Sequence, residues 1–336
     1  MPRLRILRAG PGTTIQDAGR RGWLRFGVTE GGPMDWIAHA RANILAGNAP
    51  GTAAIEVGIG GIELQADEGA VSLGYAGAPF AVTRGAVALA ASGCVRVEPG
   101  DRLTVKAAAE GSWLYLSPSG GVAANPVLGS LATSLRTGVG PAPLASGDVL
   151  AVDPAGEPTE LVCAAEPQDN APITLRVVPG PQDDYFSQTA LARFFGEAYR
   201  VSTRCDRMGY RLEGPPLQHA KGFNIVSDAI ALGAIQVPGD GLPIVLMADR
   251  QPTGGYPKLG HVIRADIGRL AQCRPGAELR FAPVSVEAAR TELLAALERL
   301  RTTLDRAQRR SGDLSSERLL SINLIGGVYA PSDRAG

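Results

Sequence analysis

The sequence predicts a mainly β protein with a few helices, built from two β-rich domains. Its 43 glycines and 25 prolines far outnumber the three tryptophans, seven tyrosines and seven phenylalanines, a composition typical of short strands joined by tight turns. Short apolar runs recur between these turns along most of the chain. An acidic, proline-rich stretch at 153–172 separates two strand-like segments and marks a domain boundary. We therefore expect one domain over 1–160 and a second over 170–336.

The first domain is predicted to consist of short strands interrupted by one helix. The helix is expected near 35–46, because Pro33-Met34-Asp35 forms a start signal, apolar residues follow at helical spacing, and Gly47 ends the pattern. The segment 98–101 (EPGD) is predicted to be the turn of a β-hairpin. The predicted strands lie at 4–7, 55–64, 70–73, 95–97, 103–105 and 113–116.

The second domain has the strand spacing of a β-barrel. A helix is expected over about 183–195, and a hairpin turn at 238–241 (PGDG). A long amphipathic helix is predicted over 285–309, where Leu293, Leu297, Leu300 and Leu304 form one stripe that should lie on the barrel. The segment 319–325 is a candidate final strand. The predicted barrel strands lie at 173–178, 197–203, 207–213, 233–238, 243–248, 258–264 and 277–282.

The charge balance argues against several classes of partner. Lys plus Arg and Asp plus Glu both number 33, so there is no excess positive charge for nucleic acid or for an anionic membrane. The four cysteines contain no C-x-x-C pair, and no apolar run reaches the length of a signal peptide or of a membrane span. A cytoplasmic protein without nucleic-acid or membrane partners is expected.

Common catalytic and cofactor motifs are missing. None of the three lysines follows a glycine, which excludes a P-loop, and the glycines at 58–61 lack the third glycine of a dinucleotide fingerprint. The sequence has no paired Cys/His zinc ligands and only three histidines, so no metal site is predicted. His39, His219 and His261 are each interpreted as structural rather than catalytic.

Three polar clusters remain as candidate sites. The first follows the first strand, where Gln16, Asp17 and Arg20 lie within one glycine-rich turn. A loop held by an Asp–Arg pair is the alternative interpretation. The second places Arg207 and Arg211 on one strand face by alternation, where two guanidinium groups would suit a carboxylate or phosphate. A solvated outer face of the barrel would show the same pattern.

The third cluster, at 249–258 (DRQPTGGYPK), gives the strongest signal. Gly254 and Gly255 can direct successive N–H groups towards an anion, and Gln251, Thr253 and Lys258 can add further donors. Lysine is rare in this arginine-rich chain, so Lys258 suggests a need for a compact point charge. The alternative is a long hairpin connection with an incidental lysine.

The order of these clusters resembles the biotin-dependent carboxyltransferase subdomain A/B family, which includes the C-type subunit of bacterial 5-oxoprolinase, the allophanate-hydrolase-subunit-2 homologues and the Kip antagonist protein. The resemblance runs nearly end to end and is densest in the second half. The chain departs from the family pattern at Ala76, Pro79, Leu131 and Pro252. The matching segments are 14–20 (TIQDAGR), 32–35 (GPMD), 42–48 (ANILAGN), 54–56 (AIE), 207–214 (RMGYRLEG), 233–241 (GAIQVPGDG) and 254–258 (GGYPK).

This resemblance implies a cyclophilin-like barrel in the second domain and a B-type partner from the matching C/D subdomain family. It also implies one of three activities. In 5-oxoprolinase, three kinds of subunit, of A, B and C type, use ATP to open 5-oxo-L-proline to L-glutamate. In urea carboxylase, the similar region transfers a carboxyl group from carboxybiotin to urea. In the Kip system, the pair regulates a histidine kinase.

The sequence has no biotin-attachment segment, ATP-grasp portion or amidase portion, so the 5-oxoprolinase interpretation is preferred. ATP is then the cofactor of the complex, possible partners are a B-type subunit and an A-type lactam-utilisation subunit, and biotin belongs only to the carboxyltransferase alternative. Lys258, Asp249 and Asp17 are the candidate catalytic residues. The candidate substrate or anion contacts are Arg207, Arg211, Gln251, Thr253, Gly254, Gly255, Tyr256, Gln16, Arg20 and Gln236.

Overall fold

The computed structural model describes residues 1–153, 161–163 and 173–309. The candidate final strand at 319–325 lies outside these residues. Two large hydrophobic cores occur among them. One is formed by residues between Leu4 and Val152, and the other mainly by residues between Leu175 and Phe281. The second core also contains Met34 from the N-terminal part of the chain.

The protein is mainly β, as the sequence predicts. The strands are β1 (Arg3–Ala9), β2 (Thr14–Gln16), β3 (Ala54–Val57), β4 (Ile62–Glu68), β5 (Val71–Gly77), β6 (Ala81–Arg84), β7 (Val87–Ala88), β8 (Ser92–Val97), β9 (Arg102–Lys106), β10 (Leu114–Pro118), β11 (Val149–Ala151), β12 (Leu161–Cys163), β13 (Ile173–Pro179), β14 (Tyr199–Cys205), β15 (Gly209–Glu213), β16 (Asp228–Ala229), β17 (Ala234–Gln236), β18 (Ile244–Leu246), β19 (Thr253–Gly254), β20 (Lys258–Val262), β21 (Glu278–Pro283) and β22 (Gln308–Arg309).

Two antiparallel sheets enclose the first core. One has the order β11-β1-β4-β9-β6-β7 and the other β2-β3-β10-β5-β8-β12-β22. The turn at 98–101 forms, with the Asp101 N–H donating to the Glu98 carbonyl at 2.9 Å. The hairpin prediction is nevertheless wrong, because β8 pairs with β5 and β12 whereas β9 pairs with β4 and β6. The turn carries the chain from one sheet to the other.

A short helix, α1 (Trp36–Leu45), packs on the second sheet where the sequence predicts it. The Asp35 carboxylate caps it by accepting the N–H groups of Ile37 at 3.2 Å and Ala38 at 3.1 Å. Gly74 on β5 lets the helix approach closely, since a Cβ there would lie 2.2 Å from the Ala42 carbonyl oxygen. This close approach holds the C-terminal half of α1 against β5.

The second half forms a closed seven-stranded barrel in the order β13-β20-β17-β18-β15-β14-β21, which confirms the predicted barrel. The β17–β18 hairpin turns at 238–241 as predicted, and the Gly241 N–H donates to the Pro238 carbonyl at 3.0 Å. A separate two-stranded sheet, β16–β19, lies outside the barrel order. In this sheet Asp228 pairs with Gly254 and Ala229 pairs with Thr253.

Three helices accompany the barrel: α2 (Gln188–Gly196), α3 (Ile267–Ala271) and α4 (Val286–Arg301). The helix predicted over 285–309 is therefore shorter, and the chain continues through a 3-10 turn at Leu304–Arg306. Of its predicted leucine stripe, only Leu300 is buried, while Leu297 and Leu304 are 42% and 50% exposed. Within the described residues, no helix is long and apolar enough to cross a membrane.

Candidate functional site

A buried arginine joins the barrel to the N-terminal sheets. Arg207 lies in the bend between β14 and β15 and is 3% exposed. Its Nε and Nη2 atoms donate to the Asp249 carboxylate at 3.1 and 3.0 Å, and its Nη1 atom donates to Glu56 on β3. Nη2 also donates to the Gly32 carbonyl at 2.7 Å. The guanidinium is thus bound by carboxylates from both halves of the chain.

The Glu56 carboxylate has further donors. The Met34 N–H donates to it at 2.8 Å, and the Tyr115 hydroxyl at 2.7 Å. The Tyr115 oxygen in turn accepts the Asp35 N–H at 2.8 Å. Burial and the neighbouring Glu56 charge raise the pKa of Tyr115, so its hydroxyl stays protonated and continues to donate. We call Arg207, Glu56, Asp249 and Tyr115 the junction cluster.

The loop with the first predicted cluster lies beside this junction. Asp17 accepts the Gly19 N–H at 2.9 Å, the Ser130 hydroxyl at 2.6 Å and the Leu131 N–H at 2.7 Å. Arg20 donates to carbonyl groups of the same facing segment, including Ala132 at 2.8 Å. Both side chains bind the facing segment, and the described hydrogen bonds do not join one to the other. The loop is therefore capped by Asp17, as the alternative interpretation expects, but no direct Asp17–Arg20 ion pair holds it.

Several buried polar atoms of this loop and of the facing segment lack a hydrogen-bond partner among the described residues. They are Gln16 Oε1, Arg20 Nη1 and Thr133 Oγ1, all on side chains at most 2% exposed. A Cβ added to Gly31 would lie about 4 Å from both Arg20 Nη1 and Asp249 Oδ1. An unpaired donor therefore lies near the junction cluster, where buried polar groups are otherwise satisfied.

A second polar site surrounds Lys258 on the outside of the barrel. Lys258 is 2% exposed, and its Nζ atom donates to Asp228 Oδ2 at 2.7 Å. The Gln182 side chain spans the same pair, accepting the Lys258 N–H at 3.1 Å and donating to Asp228 at 3.4 Å. Asp228 is 49% exposed and belongs to β16. A buried cation is thus balanced by a carboxylate that solvent can reach.

Gln236 completes this site. It pairs with Lys258 across β17 and β20, and it is 1% exposed. Gln251 Nε2 donates to Gln236 Oε1 at 3.5 Å, but Gln236 Nε2 has no partner among the described residues. A Cβ added to Gly254 would lie 2.7 Å from that nitrogen, so the glycine leaves space for it. We call Lys258, Asp228, Gln182, Gln236 and Gln251 the lysine site.

The structure separates the predicted site residues into these two places. Gln16, Asp17, Arg20, Arg207 and Asp249 lie at or beside the junction. Lys258, Gln236, Gln251 and Gly254 lie at the lysine site, which Gly255 adjoins in sequence. Thr253 and Tyr256 lie on the same loop with exposed side chains.

The expected shared face of Arg207 and Arg211 does not form. Arg207 precedes β15 in a bend, where strand alternation does not apply, and it points into the junction. Arg211 lies within β15 and is exposed. The two guanidinium groups therefore cannot bind one anion together.

Sequence reasoning missed Glu56, Tyr115, Asp228 and Gln182. The sequence around Glu56 could have identified this residue, because a carboxylate in the middle of a short apolar strand needs a buried partner. No local sequence pattern could have identified Asp228 and Gln182, since they reach Lys258 from segments 30 and 76 positions away. A further missed pair joins the halves: Arg250 Nη2 donates to Glu30 at 3.2 Å.

The described residues 1–153, 161–163 and 173–309 contain no group of three His, Cys, Asp or Glu side chains placed to hold a metal ion. The two sites offer hydrogen-bond donors, hydrogen-bond acceptors and charged groups. At the lysine site, the ammonium and the free amide can donate to an anionic oxygen. The junction cluster holds the Gly32 carbonyl and the Asp249 carboxylate in place.

Comparison with known proteins identifies relatives of matching length. The chain is 33% identical over 290 residues to the C-type subunit of 5-oxoprolinase from Escherichia coli, an alignment that covers 85% of this chain and 93% of that protein. It is 36% identical over 291 residues to the corresponding 5-oxoprolinase subunit of Haemophilus influenzae, which covers 84% and 92%.

The fold is similar to that of a larger enzyme. The crystal structure of Kluyveromyces lactis urea amidolyase aligns with a TM-score of 0.83 and 26% identity, covering 94% of this chain but 20% of the enzyme. The family model for the carboxyltransferase domain, subdomain A and B, matches residues 26–283, which contain the junction cluster and the lysine site. The chain therefore belongs to the carboxyltransferase subdomain A and B family.

Proposed function

We propose that this chain is the C-type subunit of a bacterial 5-oxoprolinase, a cytoplasmic complex in which A-type and B-type subunits also take part. The complex would couple ATP hydrolysis to the opening of 5-oxo-L-proline to L-glutamate. One observation carries the proposal: two proteins named as this 5-oxoprolinase subunit match the chain over more than nine tenths of their own length. The aligned part of the chain thus spans most of the length of that subunit.

The lysine site supplies the chemistry that such a reaction needs. Opening a lactam places negative charge on its carbonyl oxygen, and a fixed cation with amide donors stabilises that charge. Lys258 and Gln236 Nε2 would donate to this oxygen, and Gln251 would orient Gln236. The Lys258 ammonium lies 2.7 Å from Asp228 Oδ2. Because the Asp228 side chain is half-exposed, a bound anion could displace it from the ammonium.

The junction cluster has a positioning role in this proposal. Asp249 is fixed by Arg207 on one side and by the Leu135 N–H at 3.2 Å on the other. Gln251 follows two residues later, so the position of its amide depends on that anchor. We assign Asp249 and Asp17 to the support of the site, because their carboxylates are occupied by several donors.

The described residues fit a substrate oxygen better than a nucleotide. The lysine site has one ammonium and a few amides, whereas a triphosphate is usually held by a glycine-rich loop leading into a helix. We therefore propose that the partner subunits bind ATP.

The test uses the A-type, B-type and C-type subunits purified as a complex. Lys258→Met should lower the rate of 5-oxoproline-dependent ATP hydrolysis by about 100-fold, because it removes the only charged donor of the site. Lys221→Met is the matched control, since Lys221 forms an exposed ion pair with Asp184. A Lys258→Met complex that assembles and keeps the wild-type rate contradicts the proposed site. A wild-type complex with no lactamase activity contradicts the proposed function.

A second candidate is one half of a biotin-dependent carboxyltransferase of the urea carboxylase type. The TM-score of 0.83 to urea amidolyase over 94% of this chain favours it. In that case a biotinylated carrier protein would deliver the carboxyl group, and the lysine site would receive the carboxylate oxygens. This candidate is supported if the chain and its B-type partner carboxylate urea when a carboxybiotin carrier is supplied. It is excluded if the complex opens the lactam but does not carboxylate urea.

A further inference from the structure

A groove distinct from the two sites above lies between α1 and α4. It has a volume of about 1090 Å³, at the upper end of the range for small-molecule sites. Its apolar walls include Trp36 and Ile44 from α1, and Leu294 and Leu297 from α4. Leu294 and Leu297 are 56% and 42% exposed, which is unusual for leucines on the concave side of a helix pair. The groove is therefore an apolar surface that nothing in the described chain covers.

Positive charge is concentrated at this groove. Arg21, Arg264 and Arg301 line it, against a single acidic residue, Glu298. Glu298 already lies 3.8 Å from Arg301, in a pair that is largely exposed. Arg21 and Arg264 have no side-chain hydrogen bond or ion pair to any residue in the described ranges. Neither guanidinium group has a direct carboxylate partner, although Glu30 and Asp35 offset part of the Arg264 charge at longer range.

Arg264 is held in place for an incoming anion. Its guanidinium carbon lies 5.2 Å from the centre of the Trp36 ring, and Trp36 Nε1 donates to the Arg264 carbonyl at 2.9 Å. Desolvation by the groove walls and repulsion from Arg21 lower the pKa of Arg264 to about 10. An anion between the two arginines would relieve that repulsion while its apolar part covered the leucines.

We propose that this groove binds a small amphiphilic anion, with a carboxylate head between Arg21 and Arg264 and an aliphatic body along Trp36, Leu294 and Leu297. The proposal does not depend on the lactamase function, because the groove shares no residue with the lysine site. Charge complementarity and the size of the groove favour a small ligand with one anionic end.

The test titrates dodecanoate into the full-length chain by isothermal calorimetry, and follows Trp36 fluorescence in parallel. We expect saturable binding of one molecule per chain and a change in tryptophan emission that Trp36→Phe removes. Arg264→Gln and Arg21→Gln should each weaken binding about 10-fold or more, because each removes a charged hydrogen-bond donor. Neither side chain forms a hydrogen bond or ion pair within the described ranges, so the variants should fold.

Arg290→Gln is the matched control, because Arg290 belongs to α4 but does not line the groove. The proposal is overturned if dodecanoate does not bind, or if Arg290→Gln weakens binding as much as Arg264→Gln. It is also overturned if dodecyltrimethylammonium binds as tightly as dodecanoate, since the arginines would then have no role. The proposal also fails if dodecanoate no longer binds once the B-type subunit is added, because the groove would then be part of the interface with that subunit.

Discussion

Arg207 and Glu56 form a buried ion pair that connects the barrel to the N-terminal sheets. Arg207 is 3% exposed and Glu56 is fully buried. Although burial opposes the charge, Glu56 and Asp249 raise the pKa of Arg207, so the guanidinium remains protonated. Two hydrophobic cores thus meet at a charged contact whose partners are 151 positions apart. The geometry of that contact fixes how the loops of the two halves face each other.

Arg207→Met should destabilise the protein by about 3–5 kcal/mol, because it leaves two buried carboxylates without their counter-ion. Urea denaturation at neutral pH measures the loss. Arg211→Met is the control, since Arg211 is an exposed arginine four residues away and should change the unfolding free energy by less than about 0.5 kcal/mol. Equal effects of the two substitutions contradict the junction cluster.

The sequence predicts Arg207 and Asp249 as candidate site residues, but it predicts neither the role of Glu56 nor the contact itself. Arg207 and Asp249 were recognised as candidate site residues from local patterns, and Glu56 appears within a family segment. Their meeting depends on the packing of β3 against the bend before β15, which no local pattern specifies. Strand alternation also failed at Arg207, because it holds only within a pleated strand.

Gly254→Ala should lower kcat/KM of the proposed complex about 10-fold. The new Cβ would lie 2.6 Å from Ile230 Cδ1 and 2.7 Å from Gln236 Nε2, so it would displace the amide proposed to meet the substrate oxygen. Gly255→Ala is the neighbouring control, since the nearest atom to its Cβ is the Ile225 carbonyl oxygen at 3.5 Å. Steady-state kinetics of both variants test this. Equal losses would show that the loop, rather than the space beside Gln236, limits activity.

The carboxyl group of Asp228 should titrate below its usual range, because its hydrogen bond to Lys258 lowers its pKa. A depressed carboxyl pKa stabilises the fold at pH values above the usual pKa of Asp, and that contribution is lost as the pH falls through the lower folded value. Carbon-13 NMR of the Asp228 carboxyl group measures the midpoint. In Lys258→Met the midpoint should rise towards about 3.9. An unchanged midpoint contradicts the ion pair.

The overall fold was more predictable than the connections between its parts. Alternating apolar runs identified most barrel strands and the position of α1, since burial of one face dictates those patterns. The sequence predicts the turn at 98–101 but does not show that this turn joins two different sheets. Turn residues determine a local bend, and they do not determine which strands pair beyond it. The end of α4 was placed at 309 because the leucine stripe continues past Arg301, whereas the helix itself does not. The groove beside α4 explains why Leu297 of that stripe is not buried.

His39 should make the protein less stable in mild acid. It is 2% exposed, and burial lowers its pKa to about 4. Between about pH 6.5 and pH 4 the unfolded chain therefore binds a proton that the folded chain does not, so stability falls as the pH falls. A shift of this size corresponds to about 3 kcal/mol. Urea denaturation at about pH 7.5 and at about pH 4.5 measures the change. His39→Gln cannot take up this proton and should lose less stability between the two pH values. If the wild type and the variant lose the same amount, His39 is not the group that titrates.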